Sequence, residues 1–246
     1  MKEKALEYAH AMRTILKDID EQEMDHITQA AGVLATTVAQ DGIVYTFGTG
    51  HSHVVAEDVA YRAGGLVPVD AILEAALTGH EKVRQSEFME RVEGIAKVIM
   101  GYYNPSSKDA IVIISNSGRN AAPIEMAMEA HQRGMKVIAI TSLAHSKGTS
   151  SRHSSGKKLY ELADIVIDNH CIKGDAMITL KNLPMPVGAG SGIAGLYILH
   201  TVIVQTIQTL IDRGVKPPVF MSGNLDGSDL VNIPLRERYK GRVKIW

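Results

Sequence analysis

The chain opens with two stretches in which apolar residues recur at helical spacing. Leu6, Met12, Ile15, Leu16 and Ile19 mark the first, with charged residues between them, and Ile27, Ala30, Ala31, Leu34 and Val38 mark the second. Asp41-Gly42 then breaks the pattern, so residues 2 to about 40 read as helical. Beyond that point short apolar runs alternate with helical ones. Strands are predicted at 43–47, 66–69, 110–114, 136–141 and 164–167, and helices at 52–63, 81–102 and 121–133. In the 81–102 helix, Val83, Phe88, Val92, Ile95, Val98 and Ile99 fall to one side.

Continuous apolar strands such as Ala110-Ile111-Val112-Ile113-Ile114 suit burial on both faces. Strands alternating with helices imply right-handed βαβ units and a parallel sheet, so the fold class is α/β. No repeat, low-complexity tract or linker interrupts the pattern. The expected division is a helical appendage over 1–40, an α/β domain over 41–215, and an extension over 216–246 packing on that domain. The polar stretch 145–158 is the best candidate for a mobile loop.

A length of 246 residues suffices for one well-buried α/β domain with an appendage. With 45% apolar and 22% charged residues, disorder does not describe the whole. A formal net charge of −1 gives no general attraction to DNA or anionic membranes, so neither is an expected partner. Arg152, His153, Lys157 and Lys158 form a local basic cluster that reads as a solvated loop. The single cysteine, Cys171, reads as structural; it excludes an internal disulfide and fits a reducing cytosol. The first residues lack the apolar core of a signal peptide, and a cytoplasmic location is expected. The stretch 193–211 is long and apolar, but His200, Gln205 and Gln208 make it a buried or interface helix rather than a membrane span. That helix and the N-terminal pair offer more apolar surface than one small sheet covers, which predicts a homo-oligomer, a dimer or tetramer.

Two loops carry the candidate chemistry. In an open parallel sheet, ligands bind at the carboxyl ends of the strands. Gly48-Thr49-Gly50-His51-Ser52 lies there, between a strand and a helix, and its glycines let backbone N–H groups approach a ligand closely. It is neither a Walker loop nor a full GxGxxG, since His53 stands where the last glycine would be. Ser115-Asn116-Ser117-Gly118-Arg119-Asn120 also follows a buried strand and opens a helix, with Pro123 suited to its first turn. Turn and capping chemistry alone favours Ser and Asn at such places. Two such loops at equivalent strand ends, however, converge hydroxyls and amides in a way that suits a phosphate held but not transferred.

The segment 44–63 with its Gly-Thr-Gly-His-Ser loop, and 111–142 with Ser115-Asn116-Ser117-Gly118, resemble the two ligand loops of sugar isomerase (SIS) domains. Residues 162–168 resemble the following strand, and the likeness spans about 40–215. It points to phosphoheptose isomerase-like proteins in a branch without an assigned reaction. The resemblance implies a three-layer αβα sandwich with a five-stranded parallel sheet, sugar-phosphate binding, and sites built at subunit interfaces. It places Ser52, Ser115, Ser117 and Asn120 at phosphate-holding positions. The catalytic positions depart from the pattern. Phosphoheptose isomerases carry a glutamate ten residues past the first-loop serine, where this chain has Arg62. Arabinose-phosphate isomerases carry one four residues past the second-loop glycine, where this chain has Ala122.

Aldose–ketose isomerisation and ether cleavage both need a base. Glu57, one turn beyond His53, Glu74 after the second strand, and His200 in the apolar C-terminal helix are the candidates. His51, His53, Glu57 and His80 are potential metal ligands, but their spacing is not diagnostic and neither HExxH nor paired cysteines occur. No metal or other cofactor is therefore expected. Residues 169–187 are rich in Gly, Pro and Met and form either a cover over the site or a structural crossover; Ser222–Gly227 is a further polar turn. Two readings follow: an isomerase or lyase acting on a phosphorylated sugar or amino sugar, or a sensor that binds one without turning it over. A near-neutral N-terminal segment without a basic helix-turn-helix favours the first.

Overall fold

The computed structural model describes residues 2–80 and 82–246. Glu81, where the predicted long helix begins, lies outside the described residues. The elements run α1 (Glu3–Gln22), α2 (Met24–Ala39), β1 (Val44–Gly48), α3 (Ser52–Asp58), β2 (Val69–Ile72), α4 (Ala75–Thr78), α5 (Val83–Met89), α6 (Ile95–Tyr103), β3 (Ala110–Ile114), α7 (Ala121–Gln132), β4 (Lys136–Thr141) and α8 (Leu143–Lys147). They continue as β5 (Ile165–Asp168), β6 (Ala176–Ile178), β7 (Val187–Ala189), α9 (Ser191–Asp212) and α10 (Ser228–Tyr239).

Strands β1 to β5 form a parallel sheet in the order β2-β1-β3-β4-β5. Every residue of β1, β2 and β3 is buried, because helices cover both faces. On one face, α1, α2, α3 and α9 share an apolar cluster that includes Ile15, Ile27, Leu34, Val55, Ile198 and Val202 with Val44 and Val112 from the sheet. On the other, α6 and α7 pack Met100 and Met126 against Tyr45, Phe47, Ile111 and Ile113. Alternate strand residues thus feed alternate cores. Helix α9 is long and apolar enough to cross a membrane by length and composition, yet Ala194, Ile198, Leu199 and Val202 are buried against α2 and α3.

Several boundaries differ from the sequence reading, each for a local reason. The second strand begins at Val69, not 66, because Pro68 has no N–H to donate; only its carbonyl joins the ladder, accepting from Val44 N at 2.9 Å. Leu66 instead bridges Val219. Helix α3 stops at Asp58, five residues early, and the chain turns through Tyr61 and Gly64, both at positive φ. The long helix over 81–102 is two helices, broken at Gly94 with φ 93°. The break splits the predicted apolar side: Ile99 is buried, whereas Val83, Phe88, Val92 and Val98 are exposed. The stretch 145–158 is tied down: the buried Lys158 ammonium donates to the carbonyls of Ser146 and Thr149, and Ser154 bonds Glu93. The basic cluster there is thus not simply solvated.

The last residues dock on the sheet through Asp70. This carboxylate is fully buried in β2 and accepts from Lys244 N at 2.9 Å and Ile245 N at 3.1 Å. Burial raises its pKa from 3.8 to about 6, against the opposing pull of those two N–H groups. The folded state therefore holds this proton more tightly than the unfolded chain, so the contribution of Asp70 is most favourable below pH 4 and is lost as pH rises through about 6. A move from 3.8 to about 6 corresponds to roughly 3 kcal/mol. Asp70→Asn should flatten the pH dependence of urea-unfolding stability between pH 4 and 6 relative to the wild type; parallel curves would refute this.

Candidate functional site

Strand order reverses between β1 and β3, and the two polar loops flank that switch point at the carboxyl edge. The first loop is fixed by backbone contacts. Gly50 sits at φ 51° and donates to Leu77 O at 2.9 Å, while Thr49 Oγ1 donates to Glu90 Oε2 at 2.7 Å. Ser52 starts α3 with its side chain half-buried.

In the second loop, Gly118 at φ 56° lets the chain fold back so that its N–H donates to Ser115 Oγ at 3.2 Å. Ser115 is buried and holds the turn. Ser117 is half-buried, and Asn120 precedes α7 with its side-chain oxygen accepting from Arg152 Nη1 at 3.1 Å. Asn116 faces across β4 to β5: its Oδ1 accepts from Asn169 Nδ2 at 2.9 Å, and Asn169 Oδ1 accepts from Cys171 N at 3.0 Å. Cys171 is buried, which pushes its thiol up to about 12, far from a nucleophile's range.

Between these loops lies a cavity of about 190 Å³ lined by His51, Ser52, Val55, Ile114, Asn116, Asn169, Asp175, Ser191 and Gly192. Three predicted residues, His51, Ser52 and Asn116, meet there; Ser115, Gly118 and Asn120 shape the turn behind them. Asn169, Asp175 and Ser191 were not singled out from sequence. The segment 169–187 delivers two of them, and its hairpin β6–β7 leads into α9. Asp175 occupies the start of α9, accepting from Gly190 N at 3.1 Å, Ser191 N at 2.8 Å and Ser191 Oγ at 2.7 Å. A negative charge already sits at that helix end, so an anion fits better on the side of Ser52 and the second loop. Cationic groups gather beside that loop. Burial, then the charges of Arg119 and Arg91, push the Arg152 guanidinium below its ordinary range, and Glu90 opposes them. Arg119 Nε is buried without a hydrogen-bond partner among the described residues. Ser222–Gly227 does not line this cavity; Gly223 lines another with Tyr61, Arg62 and Asn232.

The three candidate bases are separated. Glu74 precedes α4, where its backbone carbonyl accepts from Leu77 N and Thr78 N, and it lines neither this cavity nor the one beside His53. Glu57 is exposed on α3, its Oε2 4.0 Å from His53 Nε2. His200 is half-exposed on α9, with Nε2 2.7 Å from Asp58 Oδ2; the other Asp58 oxygen accepts from Arg62 Nη1 at 2.7 Å. Of the four potential metal ligands, His53, Glu57 and His80 converge and His51 does not.

Residues 7–142 match the family profile described as "SIS domain". The chain belongs to the SIS domain family. A UPF0309 protein of Halalkalibacterium halodurans is 43% identical over 95% of this chain and 96% of its own. A UPF0309 protein of Geobacillus thermodenitrificans is 42% identical over 97% and 96%. Among solved structures, the SIS chain resembles phosphoheptose isomerase from Neisseria gonorrhoeae, with a TM-score of 0.59, 19% identity and coverage of 84% and 98%. It also resembles the Vibrio vulnificus NanR protein complexed with ManNAc-6P, with a TM-score of 0.51 and 17% identity over 85% of this chain and 63% of that one. These likenesses place the five-stranded parallel sheet in the SIS fold.

Proposed function

We propose that this SIS domain binds a phosphorylated sugar or amino sugar at the switch-point cavity and acts on it as an isomerase or lyase. The observation that carries the reading is the convergence of His51, Ser52 and Asn116 on one cavity at the carboxyl edge, with Arg152 bonded to Asn120 of the second loop. The phosphate is held by the Ser52 hydroxyl and the Ser117 side of the second loop, and the sugar hydroxyls meet Asn116, Asn169 and Asp175. Its solved neighbours named as phosphoheptose isomerases support the reaction class.

A second reading, a sugar-phosphate-binding protein without turnover, draws on two positions. Arg62 stands where the phosphoheptose isomerases carry a glutamate and is tied to Asp58, and Ala122 is buried at the start of α7.

Thermal shift against a panel of sugar phosphates tests the binding. A ligand present at 100 times its Kd stabilises the folded state by about 2.7 kcal/mol. One or more sugar phosphates should raise the melting temperature, the unphosphorylated sugars should not, and Ser52→Ala with Ser117→Ala should erase the response while the apo protein melts normally. Equal responses to phosphorylated and unphosphorylated sugars would refute the proposal.

A further inference from the structure

His53 is buried at the start of α3, and its ring is fixed from both ends. Nδ1 donates to the Gly50 carbonyl. That bond places the proton on Nδ1 and leaves Nε2 as the nitrogen with a free lone pair. Nε2 faces His80 Nε2 at 2.8 Å and Glu57 Oε2 at 4.0 Å, and the three ligand atoms lie within 4.8 Å of one another. A backbone carbonyl orienting the far side of a histidine is the usual outer support of a metal-binding imidazole.

We propose that His53, Glu57 and His80 bind a divalent transition metal of the zinc class. Zinc takes imidazole nitrogen and carboxylate oxygen at ~2.0–2.2 Å, and tetrahedral angles then set neighbouring ligand atoms ~3.3 Å apart. The separations of 2.8 Å and 4.0 Å bracket that distance, and Glu57, exposed on α3, closes the longer one by rotation. Without metal, His80 Nε2–H donates to His53 Nε2. Metal entry requires that proton to move to His80 Nδ1, so that both Nε2 atoms turn their lone pairs to the ion while each neutral ring keeps its one N–H. Three protein ligands leave a fourth position open. His53 and His80 line a cavity of about 320 Å³ together with Gly50, His51, Thr78 and Ser86, and His51 also lines the phosphate-side cavity. The metal site and the sugar site are thus neighbours across one residue, with a coordination position open to water or a hydroxyl.

The test uses the full chain stripped with chelator, with Zn²⁺ titrated against a chromophoric competitor and Co²⁺ as a spectroscopic probe. One Zn²⁺ per chain and the visible bands of four-coordinate Co²⁺ are expected. His80→Ala and Glu57→Gln, checked for folding by circular dichroism, should each weaken Zn²⁺ by more than the roughly 10–100-fold lost with an outer partner. His51→Ala should bind as the wild type does. Substoichiometric binding by the wild type, unchanged affinity in folded His80→Ala, or loss of metal in His51→Ala would each overturn the assignment.

Discussion

Replacing Gly48 with alanine is expected to lower stability by about 1–3 kcal/mol and to abolish the response to sugar phosphates. A Cβ on Gly48 would stand 2.5 Å from the Ser52 carbonyl oxygen, 2.6 Å from its carbon and 2.9 Å from His53 N. All three are backbone atoms, which cannot swing aside as a side-chain tip does. The first turn of α3 must move as a unit, carrying Ser52 and His53 with it. Gly50 provides the contrast. It sits at φ 51° with nothing within 4 Å of its would-be Cβ, so Gly50→Ala costs only the strain of a left-handed alanine, ~1–2 kcal/mol, and leaves the loop in place. Urea unfolding together with thermal shift separates the two. A Gly48→Ala protein that unfolds with the wild type and keeps its ligand response would show that the close approach of β1 to α3 is unimportant.

The architecture was legible because the sheet is buried on both faces: continuous apolar runs mark β3 and the middle of β4, and β1 is apolar but for Thr46 and its closing Gly48. Boundaries were lost where a single residue overrules periodicity. Gly94 breaks an apolar pattern that otherwise continues across it, and Pro68 delays a strand by removing a donor. Helix α10 lacked a clear period, since Leu230, Val231 and Ile233 are largely exposed and Pro234 lies inside it. The hairpin β6–β7 offers only short, partly exposed strands.

The site was half legible. Loops that close on themselves within a few residues, such as Gly48–Ser52 and Ser115–Gly118, announce their place and turn geometry in sequence. Partners supplied from afar do not. Asn169 reaches Asn116 across 53 residues, and Arg152 reaches Asn120 across 32. Asp58 is an ordinary helix-end carboxylate until α9 brings His200 to it across 142 residues. A signal did exist for one pair: His53 and Glu57, four apart on one helix, share a face by geometry alone.

Turnover, once the thermal-shift panel has supplied a substrate, is expected to depend on His200. Asp58 Oδ2 accepts from the Nε2–H of His200, which leaves Nδ1 as the basic nitrogen, and Arg62 pins the other carboxylate oxygen. The ring is therefore oriented and held in one tautomer, as a general base requires. His200 lies eight residues beyond Gly192 of the cavity wall, ~12 Å along α9, and is half-exposed on the outside of that layer. The expectation is that it serves a sugar held by a second copy packed on this face, where Val204 and Ile211 are also exposed. His200→Asn should lower turnover by about 10²–10⁴-fold with ligand affinity retained. Asp58→Asn should lose nearly as much, because an amide donating to Nε2 places the proton on Nδ1. A merely structural pair would instead lower stability and leave the pH profile of turnover unmoved. Ser52→Ala, inactive through lost binding, gives the decisive arm: mixed oligomers of Ser52→Ala and His200→Asn chains should recover activity that neither has alone. Full turnover in His200→Asn would reject His200 as the base. A mixture as inactive as its parents, or wild-type sedimentation as a 26.7 kDa monomer, would reject its action across subunits.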